Sequence, residues 1–246
     1  MIVLTYPPII TSISVVHLRK EVEYFSEYKK NHWLGIHDEP ENTVEKYIQD
    51  SFDFCLKENY NLSGIPIGAP VGFEWWIEYF DNNNSIPFHS SNDEHLRITE
   101  NKLNYPFCTS TTYLTNHTSP TIILNTRNGK CLDHLLEFPP TEVIFSVPEE
   151  GKFVTYDSRY IRGVHPNDNQ GRVSLCYDVW HYRPKGLERI GLVSKPFACQ
   201  FYKTPETQPL AWLGKIKDCT SNLYDKVFTF KYPTTYREGE TWKVIQ

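Results

Sequence analysis

From Val71 onward the chain is written in short apolar runs separated by polar residues. The runs are Phe73–Phe80, Thr111–Leu114, Thr121–Leu124, Val143–Val147, Lys152–Tyr156 and Val173–Trp180, with Asp81-Asn-Asn-Asn84 reading as a turn after the first. Strands this short hide their apolar sides only by closing into a sandwich or barrel, so the spacing predicts a mainly β architecture. The abundance of Tyr, Phe and Trp (16, 14 and 6 residues) suits such half-buried pleated surfaces. Ahead of the β region, Val15, Leu18, Val22 and Phe25 fall at helical spacing, as do Val44, Tyr47, Ile48, Phe52, Cys55 and Leu56. Asn42 is placed to cap the second helix, with Glu45 three residues on. The expected organisation is one domain over 1–246, with a helical part at 1–70, a β core at 71–184 and an extension at 185–246. The extension keeps its aromatics (Phe201, Tyr202, Trp212, Phe228, Phe230, Trp242) and is expected to pack on the barrel.

A formal net charge of −5 gives no reason to expect nucleic acid or an acidic membrane as partner. Pro7 and Pro8 interrupt the apolar N-terminus, no basic residue precedes it, and no long uncharged apolar stretch follows, so neither a leader nor a membrane span is expected. The six cysteines (Cys55, Cys108, Cys131, Cys176, Cys199, Cys219) form no CxxC pair and read as reduced buried thiols of an intracellular, cytoplasmic protein. Asn61-Leu-Ser63 and Asn116-His-Thr118 match a glycosylation pattern that is frequent by chance.

Four segments, in order, resemble the Fe(II)- and 2-oxoglutarate-dependent oxygenase superfamily. Gly72-Phe-Glu-Trp-Trp76 is followed by Pro87-Phe-His-Ser-Ser-Asn-Asp-Glu94, similar to the strand and turn that carry the first metal ligands. Tyr105-Pro106 through Tyr113-Leu114 to Ser119-Pro-Thr121 is similar to the strands that come next. Pro148-Glu-Glu-Gly151 and Tyr160-Ile-Arg-Gly-Val-His165-Pro166 resemble the turn and strand around the second histidine, and Gly171-Arg-Val-Ser-Leu-Cys-Tyr-Asp-Val-Trp180 resembles the last core strand. The resemblance covers roughly 71–184. It implies a double-stranded β-helix (jelly roll) with helices packed on it, Fe(II) and 2-oxoglutarate as cofactors, and oxidation of a small molecule or protein side chain while oxoglutarate becomes succinate.

Iron in such sites is held by two His and a carboxylate on one face. His89 matches the first ligand, but Ser91 stands in the carboxylate position and Arg162 in that of the second His. A guanidinium about 4 Å from a divalent ion is repelled by about 8 kcal/mol at an effective dielectric near 20. Two readings follow. In the first, His89, Asp93 and His165 form a replacement ligand set, with Arg172, Arg162 and Tyr113 around oxoglutarate. In the second, the protein is a metal-free pseudoenzyme that binds a carboxylate or a partner, or serves as a structural subunit. There Arg162 takes the second ligand's place and pairs with Asp93 or Glu94. In both, Arg172 grips a carboxylate. His32, His37, Asp38 and Glu39 have metal-like composition but read as a solvated loop, His95 as part of a solvated acidic turn, and one indole of Trp75-Trp76 as core.

Overall fold

The computed structural model describes residues 3–25, 30–57, 69–80, 86–127, 140, 142–164, 171–190, 196–202, 213–215, 234–238 and 241–245. Eight strands form its centre: β3 (Gly72–Phe80), β4 (Ile86–His89), β5 (Cys108–Tyr113), β6 (Thr121–Arg127), β7 (Glu142–Ser146), β8 (Lys152–Asp157), β9 (Tyr160–Val164) and β10 (Arg172–Trp180). From β3 to β6 the chain passes back and forth between two sheets. From β7 to β10 it retraces that course beside itself, so that β10 lies between β3 and β5, and β9 between β4 and β6. All these pairings are antiparallel. A paired ribbon wound this way is a double-stranded β-helix, the expected fold.

The alternation along β10 explains both faces of the larger sheet. Val173, Leu175, Tyr177 and Val179 pack under the helices in the main core cluster. Their neighbours Arg172, Ser174, Cys176, Asp178 and Trp180 take the opposite face, since side chains alternate along a strand. That inner face is also buried, so all nine residues of β10 are inaccessible. On β3, likewise, Phe73 and Trp75 belong to the helix-side core, and Trp76 turns the other way toward Arg162.

The layer under which this sheet is buried comes from α1 (Ser12–Phe25) and α2 (Thr43–Ser51), the latter continued by a π-helical turn at Phe52–Lys57. Val15, Leu18, Val22 and Phe25 of α1 and Val44, Tyr47 and Ile48 of α2 are fully or almost fully buried, as their spacing predicts. Asn42 caps α2: its side chain accepts from the Glu45 amide at 2.8 Å, and Glu45 in turn accepts from the Glu41 amide. Glu45 is itself buried and meets the Arg189 guanidinium at 2.7 Å. Phe201 stacks on Tyr47 and lies against Phe54, so this part of the extension packs on the helices rather than on the barrel.

Three elements depart from the expectation. Residues 1–70 are not only helical, for β1 (Val3–Pro8) and β2 (His32–Gly35) close the two edges of the larger sheet. Prolines argue against a strand, but an edge strand can spare backbone donors, which is why Pro7 and Pro8 are tolerated in β1. His32 is accordingly a buried strand residue against Trp75, with ring centroids 4.6 Å apart, rather than part of a solvated loop. Residues around His95 form a short helix, α3 (Glu94–Glu100), not a turn. Beyond the core, β11 (Leu213–Lys215) adds to β7, and β12 (Thr234–Glu238) pairs with β13 (Thr241–Ile245). The four cysteines described, Cys55, Cys108, Cys176 and Cys199, are buried and form no disulfide with one another. No helix among the described residues is long and apolar enough to cross a membrane. The expected turn at 81–84 lies outside the described residues.

Asn42→Ala removes a buried cap and is expected to lower the unfolding free energy by about 1 kcal/mol in urea titration. Asn42→Asp, which keeps the acceptor oxygen, should cost less.

Candidate functional site

The barrel interior holds two levels of polar residues. At the first, Arg172 opens β10 and is completely buried. Its Nη1 donates to the Ser119 carbonyl at 2.9 Å and its Nη2 to Thr121 Oγ1 at 2.7 Å, while Nε lies 3.5 Å from Ser174 Oγ. The guanidinium carbon sits 5.0 Å from the centre of the Phe80 ring and 5.4 Å from that of Tyr113. Tyr113 holds its hydroxyl 2.9 Å from Thr121 Oγ1 and 3.2 Å from the Ser146 carbonyl. Every hydrogen-bond partner of Arg172 among the described residues is neutral. Lys152, also buried, places Nζ 5.9 Å from the Tyr113 ring centre, and burial pulls its pKa down to about 8.

At the second level, β4 and β9 pair so that His89 and Arg162 lie directly opposite each other. The close approach of these strands depends on Gly163, where a Cβ would come within 3.0 Å of the Ile86 carbonyl and the Phe88 ring. Arg162 is buried, donates to Ser91 Oγ at 2.8 Å, and lies 5.5 Å from the Trp76 ring centre and 6.0 Å from that of Tyr156. Ser91 is 3.1 Å from Thr109 Oγ1, which donates to Asp178 Oδ1 at 2.5 Å. A line of hydroxyls therefore connects the buried Arg162 to the buried Asp178. The Arg162–Ser91 bond corrects the expected pairing of Arg162 with Asp93 or Glu94. Asp93 instead caps α3 by accepting from the Leu96 amide and takes the Tyr182 hydroxyl at 2.7 Å, and Glu94 pairs with Arg97.

His89 donates from Nδ1 to the Pro87 carbonyl at 2.8 Å, because a carbonyl can only accept. In the neutral ring the lone pair is then on Nε2. Burial and the nearby Arg162 charge lower its pKa to about 3, against the stabilising pull of that carbonyl. The acids move the other way. Burial pushes Asp178 up to about 6 even though Arg162, Thr109 and Ser91 favour its ionised form. Burial and Asp178 push Glu74 up to about 7, although Asn31 and Trp180 donate to its two oxygens at 2.6 and 2.9 Å. Asp178 and Glu74 face each other in register across β10 and β3.

Of the residues expected to hold a metal, His89 lines the barrel level of Arg162, Asp93 is engaged at α3, and His165 lies outside the described residues. Among the described residues no three His, Cys, Asp or Glu side chains come together as a metal-binding group, at His37, Asp38 and Glu39 or elsewhere. Arg172, Arg162 and Tyr113 do share the barrel interior. Sequence reasoning missed Asp178, Thr109 and Lys152. The polar positions of β10, alternating with Val and Leu, were the available signal for Asp178. A separate open cavity of about 610 Å³ lies on the helix side, between α2 and the loop at 36–40, and includes Asp38, Glu39, Asp50 and Asp53.

No protein-family model and no curated protein matches the sequence. Several solved structures are similar to it. A Pseudomonas putida prolyl-4-hydroxylase is 12% identical with a TM-score of 0.48, over 72% of this chain and 84% of that one. A viral collagen prolyl hydroxylase from Paramecium Bursaria Chlorella virus-1, in complex with 2-oxoglutarate, is 12% identical with a TM-score of 0.47, over 73% and 96%. EctD from S. alaskensis, in its apoform, is 12% identical with a TM-score of 0.46, over 79% and 80%.

The carboxyl pair gives a test of sign. A folded-state pKa of about 7 for Glu74, against 4.5 for an ordinary glutamate, means the fold binds more protons between those values. Its contribution to stability is present at acid pH and lost as pH rises through that window. His89 contributes with the opposite slope, so the difference between variants is the readout. The stability of Glu74→Gln relative to the parent should grow between about pH 5 and 8, measured by urea unfolding at each pH. A flat difference would contradict the assignment.

Proposed function

We propose that the barrel of this oxygenase-type fold binds a small carboxylate ligand of the 2-oxoglutarate class on Arg172. One observation carries the reading: a fully buried guanidinium whose partners among the described residues are a carbonyl and hydroxyls. A buried charge without a counter-charge costs several kcal/mol. Arginine's planar fork matches a carboxylate with two charge-assisted hydrogen bonds, so an anion seated there offsets that cost. Tyr113, Thr121 and Ser174 supply hydroxyls at the same place, and the Phe80 and Tyr113 rings wall it from water. The position also agrees with the sequence resemblance, in which Arg172 holds oxoglutarate.

Fe(II) does not fit the described residues as that resemblance would have it. Ser91, in the carboxylate position, accepts a hydrogen bond from Arg162 and lies within bonding distance of Thr109, and Arg162 itself stands opposite His89. A fixed positive charge at that point opposes a divalent ion. These residues support ligand binding rather than iron chemistry.

One observation supports a second reading, an oxidising enzyme acting on a small molecule or protein side chain. His89 is unprotonated at neutral pH and carries its lone pair on Nε2, as a metal-ligating histidine must. In that reading Asp93 and His165 complete the ligand set, which requires Asp93 to leave its cap.

Arg172→Met should abolish the rise in Tm that 2-oxoglutarate gives the parent, and the parent's crystals soaked in 2-oxoglutarate should show a carboxylate on Arg172. An unchanged thermal response in the variant would refute the assignment. Ser91→Asp with Arg162→His should gain Fe(II) affinity, by titration calorimetry, that the parent lacks. Tight iron and oxoglutarate turnover in the parent would establish the oxidising reading instead.

A further inference from the structure

We propose that Arg162 is a second carboxylate anchor, and that the ligand is a four- or five-carbon dicarboxylate held between Arg162 and Arg172 with no metal ion. The inference rests on the reading of Arg172 given above and extends it to the other end of the ligand.

The two arginines are related by strand register. Arg162 lies opposite Ile123 on β6, and Arg172 donates to Thr121, two residues along the same strand and on the same face. The guanidinium groups themselves lie four residues apart along β3 and β5, Arg162 by Trp76 and the Ser91–Thr109 line and Arg172 by Phe80 and Tyr113, a separation of about 13 Å. A short dicarboxylic acid with a guanidinium at each end spans such a gap, and a monocarboxylate does not.

Each level also carries a buried hydroxyl that finds no hydrogen-bond partner among the described residues. At the lower one it is Ser146 Oγ, 1% exposed. Ser146 is the register partner of Thr121, so both side chains share the inner face. At the upper one it is the Tyr156 hydroxyl, 0% exposed, on the ring that Arg162 approaches to 6.0 Å. Tyr156 is the register partner of Thr109, whose hydroxyl belongs to the Arg162 line. Buried polar groups are ordinarily satisfied, so an orphan at each cation points to a polar ligand at both. Arg162 thus supplies from the protein the positive charge that a metal ion would otherwise give the second carboxylate. Asp178, reached through Ser91 and Thr109, and Glu78 act on Arg162 by charge but make no direct hydrogen bond to it, so its donors remain for a ligand.

Titration calorimetry in EDTA is the test, with 2-oxoglutarate and glutarate as dicarboxylates and pentanoate as a monocarboxylate. The parent should bind both diacids more tightly than pentanoate. Arg162→Met should weaken diacid binding by about tenfold or more and leave pentanoate affinity as it was, which also verifies that the variant folds. Tyr156→Phe, which keeps the ring, should weaken the diacids by about fivefold. Parental diacid affinity in both Arg162→Met and Tyr156→Phe would overturn the second anchor and leave the Arg172 reading standing. Diacid binding that appears only when Fe(II) or Mn(II) replaces EDTA would likewise overturn it. Failure of all three acids to bind, with or without metal, would remove both proposals.

Discussion

The interior of this barrel depends on one chain of hydrogen bonds, from Asp178 through Thr109 and Ser91 to Arg162. Asp178 and Thr109 belong to the larger sheet and Arg162 to the smaller, so the chain ties the two sheets together across the barrel. Neither charge is exposed, and removing one from such an arrangement leaves the other buried without its partner. The hydroxyls let the two charges communicate without direct contact.

This arrangement accounts for the pattern of ionisation around it. Burial, and after it the fixed charge of Arg162, lowers the pKa of His89, and burial likewise raises those of Asp178 and Glu74 toward their neutral forms. Beside its arginines the interior holds Asp178 and Glu78, whose charges act on Arg162, and Lys152, whose pKa of about 8 keeps it mostly charged at neutral pH. Its character follows from the alternation of β10, which gives the helices an apolar surface and gives the barrel Arg172, Ser174, Cys176 and Asp178.

Six of the eight core strands were legible because their apolar residues recur with strand period, β4 and β9 being marked only by the resemblance, and both helices were legible by an unbroken apolar face, the second with a capping pair at Asn42 and Glu45. It concealed β1 and β2, one carrying two prolines and the other very short. The site was half legible. His89, Ser91, Arg162 and Arg172 stand at positions whose spacing marks them, and the substitution of a cation for a ligand was visible as such. The partner of that cation was not, because proximity along the chain favoured Asp93 and Glu94. Asp93 was already committed to the first turn of α3, whereas Asp178 reaches Arg162 only through the winding of the sheets. The orphan hydroxyls of Ser146 and Tyr156 were beyond reach for the same reason, since a missing partner is a property of the whole interior.

The two prolines at the end of β1 have a consequence for how this molecule meets copies of itself. Successive amides of a strand point alternately toward the sheet and away from it, so Pro7 and Pro8 delete one donor on each side. The rim of the larger sheet beyond β8 therefore ends in a stretch that another extended chain cannot pair with in full. Among the described residues the larger sheet thus ends on an interrupted edge, a feature that disfavours pairing with another extended chain.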